Sequence, residues 1–121
     1  MQPEERDTAN LWDMQTAAQD AVRILGELEM DEFLGPEHET TRLAVERKLE
    51  ILGEAARRTS NKLREAHPEV PWRDVIGLRN VISHQYDKVN YEELFGIVRD
   101  RLPDLLQALA PLIPAPPKTD A

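Results

Sequence analysis

The run Arg79-Asn80-Val81-Ile82-Ser83-His84-Gln85-Tyr86-Asp87 places an arginine, a histidine and a tyrosine close together at the end of an apolar stretch. Arginine is a permanent cation whose planar fork matches phosphate oxygens, and histidine is the side chain whose ordinary pKa lets it give and take protons near neutrality. Together they can hold a phosphate and move a proton, which points to phosphodiester chemistry. On an ideal helix five residues rotate by about 140°, so Arg79 and His84 do not share a face, whereas Arg79, Ser83 and Tyr86 do. Either the helix ends near His84 and turns the imidazole back, or Arg79 and His84 meet partners from a second protomer. Both solutions imply a cleft. Taken singly, an arginine at a helix end and a histidine in a last turn are ordinary, the histidine being favourable to the helix dipole.

No second centre competes with this run. His38 lies in Glu37-His38-Glu39 and His67 precedes Pro68, and neither has another histidine at metal-ligand spacing. No metal or cofactor is expected. A glycine-rich phosphate loop, a nucleophile elbow and a distinguishable pair of carboxylates are also missing from the sequence. There is no cysteine, which removes disulfides, thiol catalysis and thiolate metal sites.

The elements that must position Arg79 and His84 follow from periodicity. Leu11, Met14, Ala18, Ala21, Leu25 and Leu28 recur in steps of three and four, the pattern of an amphipathic helix of roughly 20 residues. Gly35-Pro36 breaks the chain, and Val45, Leu49, Leu52 and Ala56 repeat the spacing through a second long helix to about residue 60. Gly53 inside that helix costs about 1 kcal/mol relative to alanine, which close packing against another helix would offset. Residues 61–67 suit a short helical turn, and Pro68 and Pro71 bracket a connector. From Pro71 a helix with Trp72, Val75, Leu78 and Ile82 on its apolar side should deliver Arg79. Asn90, with Glu93 three residues on, caps a last helix carrying Leu94, Val98, Leu102, Leu105 and Leu109, which Pro103 should kink or restart.

No strand alternation is present, so the expected fold is all-α, an up-and-down bundle of four to five helices. At 121 residues this is one domain, taken as residues 1–113, with a proline-rich disordered tail over residues 114–121. So small a core would gain from pairing two copies, and a homodimer is expected. The N-terminus lacks the basic start and apolar core of a signal peptide, and no run approaches the ~18 apolar residues of a membrane span, so a soluble cytoplasmic protein without a membrane partner is expected.

The net charge of −8 argues against a general nucleic-acid coat. Its distribution is uneven: residues 1–37 carry 2 basic and 10 acidic groups, residues 38–64 carry 7 and 4, and residues 65–121 carry 6 and 9. Arg42, Arg47, Lys48, Arg57, Arg58, Lys62 and Arg64 could therefore form a local positive surface, although a plain solvated helix face reads the same way.

The stretch from Pro71-Trp72 through Gly77-Leu78-Arg79-Asn80, then His84-Gln85-Tyr86 and Val89-Asn90-Tyr91, resembles the HEPN superfamily, and within it the HepT type of toxin. The segment from Ala44-Val45-Glu46-Arg47 to Gly53-Glu54-Ala55 resembles that family's long helix, so the similarity covers roughly residues 8–110. The resemblance implies the toxin of a type II (or type VII-like) toxin-antitoxin system, a metal-independent endoribonuclease acting on RNA as a homodimer whose two Arg/His motifs line one cleft. On that reading His84 is the base or acid and Arg79 holds the developing charge. Asn80 either orients the phosphate or His84, or caps local backbone. The resemblance further implies that a minimal nucleotidyltransferase antitoxin transfers AMP to Tyr86, whereas Tyr91 is better described as a packed ring. The competing class is a non-catalytic helical module that binds protein or RNA without cutting it.

Overall fold

A computed structural model describes residues 3–82 and 89–114, and among these every regular element is helical. The helices are α1 (Pro3–Leu25), α2 (Met30–Phe33), α3 (Glu39–Arg58), α4 (Asn61–Ala66), α5 (Trp72–Ile76), α6 (Leu78–Ile82), α7 (Tyr91–Gly96) and α8 (Leu102–Leu109). The long rods α1, α3 and the run from α7 to α8 make the expected all-α bundle, and the connectors between them are themselves coiled into short helices.

The apolar stripes sort into the core as their spacing requires. Leu11, Met14, Ala18, Ala21 and Leu25 of α1 and Val45, Leu49, Leu52 and Ala56 of α3 are all buried. Burial of each Leu or Met side chain contributes about 1.5–3 kcal/mol. The two helices run antiparallel, since Asp7 near the start of α1 accepts from the Ser60 backbone N–H and hydroxyl at 2.9 and 2.6 Å, while Asp20 pairs with Lys48 at 3.0 Å. Gly26, at φ +56°, takes the left-handed conformation that stops α1, and its N–H reaches the Val22 carbonyl at 3.0 Å. Leu28 consequently falls beyond the helix whose stripe it continues.

α3 ends at Arg58 because Thr59 and Ser60 turn to extended backbone (ψ 139° and 150°), Ser60 then capping α4 by accepting from the Leu63 N–H at 3.2 Å. Asn90 caps α7 in the expected way, its side-chain oxygen accepting from the Glu93 N–H at 3.0 Å. Pro103 restarts the last helix through a π turn at Ile97–Arg101, where the Leu102 N–H bonds the Ile97 carbonyl. A proline has no N–H to offer its i−4 carbonyl and its ring crowds it, and the wider turn relieves both faults. Of the expected proline-rich tail, residues 115–121 lie outside the described residues. No described helix is long and apolar enough to cross a membrane.

Candidate functional site

The helix expected from Pro71 to deliver Arg79 is two helices, α5 and α6, joined through Gly77. The Gly77 N–H bonds the Arg73 carbonyl at 2.9 Å and its own carbonyl accepts from the Asn80 N–H at 2.9 Å. A Cβ at this position would stand 3.0 Å from the Arg73 oxygen, so the junction accepts only glycine without a shift. Trp72, Val75, Leu78 and Ile82 are buried, and the Trp72 indole N–H donates to the His67 carbonyl at 2.9 Å. This leaves Arg79 and Asn80 on the exposed side of α6.

Gly53 sets how close that pair of helices lies to α3. A Cβ built on it would be 3.3 Å from the Val75 carbonyl oxygen, 3.7 Å from the Leu78 Cβ and 4.0 Å from the Arg79 nitrogen. The close packing expected from a glycine inside α3 is therefore realised against the segment that carries Arg79. Gly53→Ala gains up to about 1 kcal/mol of helix propensity but presses a methyl on backbone, and overpacking costs about 1–3 kcal/mol. We expect a net loss of about 1 kcal/mol in denaturant unfolding; a gain would show that α5 yields without cost.

Arg79 makes no ion pair or side-chain hydrogen bond with another described residue, and the same holds for the Asn80 carboxamide. The expectation that Asn80 caps local backbone with its side chain thus has no counterpart among the described residues. His84 and Tyr86 lie outside the described residues. Their segment, residues 83–88, joins Ile82, buried in the core, to Val89, which is packed against it. Immediately after Val89 the chain is tied back to α3, the Tyr91 hydroxyl donating to Glu46 Oε1 at 2.7 Å. Gly53 and Glu46, two turns apart on α3, hold the two flanks of the motif.

Tyr91 is a packed ring, as expected. It meets Phe33 edge to face at 6.4 Å and lies 5.7 Å from the Arg42 guanidinium carbon. Burial first, then the bond to Glu46, pushes its phenol up to about 12. With the folded value above the ordinary value of about 10, the stabilisation is fully present below pH about 10 and is lost as pH rises to about 12. Unfolding free energies between about pH 10 and 12 should fall more steeply for the wild type than for Tyr91→Phe; equal slopes would contradict this.

The basic middle segment divides in two. Arg42 donates to the Phe33 and Gly35 carbonyls at 2.6 Å each, Arg47 pairs with Glu50 at 3.3 Å, Lys48 with Asp20, and Arg64 donates to the Asn61 side chain at 2.6 Å. These serve local structure. Arg57 and Arg58 both reach Glu54, at 2.6 and 3.2 Å. Glu54 is held below the usual carboxylate range by its hydrogen bond from Arg57 and then by the charges of Arg57, Arg58 and Arg79. The sequence shows the Glu54 to Arg57 and Arg58 spacing, but the packing of the Arg79 backbone beside Gly53 is set by tertiary structure.

A cleft of about 510 Å³ opens between α5–α6 and the α7 to α8 rod, floored by Val75, Leu78, Ile97 and Leu105. Arg79 and Asn80 do not line it. On its rim Asp74 and Arg101 stand 3.8 Å apart and are mostly exposed, a pair that contributes little. Among the described residues no group of three or more His, Asp or Glu side chains is arranged to hold a metal.

Comparison with known proteins follows the same ground. A family model described as "Ribonuclease HepT-like" matches residues 14–112, a span that contains Arg79, Asn80 and the segment 83–88. The chain is 37% identical over 97 residues to "Putative RNase MJ1380" of Methanocaldococcus jannaschii, covering 80% of this chain and 87% of that one. It is 30% identical over 111 residues to "Putative RNase MJ0127" of the same organism, covering 92% and 90%. Similarity to "Probable ribonuclease HepT" of Thermococcus cleftensis is 38% over 65 residues, 54% of this chain and 59% of that one. No solved structure matches.

Proposed function

We propose, from the premise that this chain belongs to the ribonuclease HepT-like family, that it is the endoribonuclease toxin of a toxin-antitoxin pair and cuts RNA without a metal, using Arg79 and His84. The observation that carries the reading is Arg79: a guanidinium left exposed and unpaired among the described residues, on a helix seated against α3, four residues before the start of the segment that contains His84.

The chemistry uses the substrate's own nucleophile. The ribose 2′-hydroxyl attacks the adjacent phosphorus as a base takes its proton, the bond to the 5′-oxygen breaks, and an acid protonates that leaving oxygen. A 2′,3′-cyclic phosphate and a free 5′-hydroxyl result. His84 serves as the base or the acid, and Arg79 offsets the charge that builds on the non-bridging oxygens. In a homodimer whose two motifs share one cleft, two copies of His84 divide the acid and base roles, so one motif per chain suffices. Asn80, exposed next to Arg79, orients the phosphate or the imidazole. A nucleotidyltransferase antitoxin silences the enzyme by joining the Tyr86 oxygen to the α-phosphorus of ATP, with pyrophosphate leaving.

The test is a matched pair of oligonucleotides. An RNA that is cut should become resistant when the ribose 5′ to the scissile phosphate carries a 2′-O-methyl group, and the native product should end in a cyclic phosphate by mass. Cleavage of the methylated strand at the same bond would remove the 2′-hydroxyl from the mechanism.

A further inference from the structure

We infer that Arg57 and Arg58, at the end of α3, extend the Arg79 site into an arginine surface that grips RNA phosphates flanking the scissile bond, with Glu54 as the internal carboxylate those phosphates displace. The inference rests on the ribonuclease reading for the identity of the anion.

Geometry makes the case. Arg57 forks onto Glu54, Nη2 to Oε1 at 2.6 Å and Nε to Oε2 at 3.2 Å, and Arg58 adds Nε to Oε1 at 3.2 Å. A Cβ built on Gly53, the neighbour of Glu54, would lie 4.0 Å from the Arg79 backbone nitrogen. Arg57 and Arg58 thus share one carboxylate on the stretch of α3 that packs beside the Arg79 backbone, on a protein of net charge −8. The side chains of Arg57 and Arg58 are 50% and 65% exposed, so the cluster is open to solvent.

Arg23, Arg47 and Arg101 each meet a carboxylate singly, at 3.3, 3.3 and 3.8 Å, and two other arginines are committed differently. Arg42 and Arg99 each bond two backbone carbonyls, which an incoming anion cannot replace. Arg57 and Arg58 are committed to a carboxylate, and a phosphate offers the same two-oxygen acceptor. Cations in the last turn of α3 also favour its dipole, and the packing of α6 at Gly53 brings the segment that carries the exposed Arg79 beside the preceding turn. The end of α3 is also fixed in place, because Asn10 donates to the Arg58 carbonyl at 3.2 Å and the Thr59 hydroxyl to that of Ala55 at 3.1 Å. Exchange of Glu54 for phosphate keeps the guanidinium hydrogen bonds and releases counterions from the RNA.

The experiment measures single-stranded RNA binding between about 50 and 200 mM salt by the His84→Ala protein, which leaves the RNA intact, alone and with Arg57→Ala/Arg58→Ala or Glu54→Gln. Wild-type cleavage is scored in parallel. Each lost phosphate contact on a single strand should reduce the slope of log affinity against log salt by about 0.7, so the double variant should lose about 1.4. Glu54→Gln should bind more tightly, a gain that misfolding cannot produce. An unchanged slope in the double variant, or no gain from Glu54→Gln, overturns the arginine surface even when the wild type cleaves. If the slope and affinity change as stated but the wild type does not cleave, the surface stands and the nuclease reading falls. Absence of RNA binding overturns both.

Discussion

Arg79→Ala is expected to lower the single-turnover rate of RNA cleavage by about 10²–10³-fold, the range found when one preorganised donor to a developing oxyanion is removed. The fold should not suffer, because Arg79 is exposed and its side chain bonds no other described residue, while its neighbours Leu78 and Ile82 supply the buried contacts of α6. Thermal unfolding of the variant should therefore match the wild type. Arg79→Lys keeps the charge but loses the planar fork, and should recover only part of the rate. Retention of full activity by Arg79→Ala would move the oxyanion contact to another cation, and Arg57 and Arg58, one turn beyond Gly53 on α3, are the ones to examine.

The second large effect is expected at Tyr86. A nucleotide attached two residues from His84 places a bulky anion where an RNA phosphate must bind, so steric exclusion and like-charge repulsion act together. Incubation with the cognate nucleotidyltransferase and ATP should add one AMP to the intact mass and reduce cleavage to background. Tyr86→Phe should acquire no AMP and keep cutting under the same conditions. Silencing of Tyr86→Phe without any gain in mass would instead assign inhibition to the complex with the antitoxin.

Much of the scaffold was legible because burial follows spacing. The stripes at Leu11 to Leu25 and Val45 to Ala56 describe the α1 and α3 faces that meet in the core, and Gly53 correctly signalled a close helix contact. Features set by tertiary contacts or by single backbone groups were harder to read. α1 begins at Pro3, well before its first apolar stripe residue, and Asp7 in those polar turns is used by Ser60. α2 coils where the Glu29 N–H meets the Glu32 carboxylate at 2.9 Å and Phe33 finds the core, a four-residue element too short to show a period. α5 and α6 part at Gly77, where a Cβ would stand a tight 3.0 Å from the Arg73 carbonyl oxygen, a break that the apolar stripe running through it conceals. Arg79, Asn80, His84 and Tyr86 stand out in the sequence as a motif of residue types. The packing of the Arg79 segment beside Gly53 was not legible there, since it depends on which turn of α3 the α5–α6 pair rests against.

The most direct test of the central claim is cleavage of mixed cellular RNA in excess chelator by the purified protein, compared with His84→Ala and Arg79→Ala, after intact mass has shown Tyr86 to be unmodified. The account predicts cutting by the wild type alone, with both variants folded and still able to bind RNA. Equal cutting by His84→Ala would contradict it, as would a folded, unmodified wild type that binds RNA and leaves it whole.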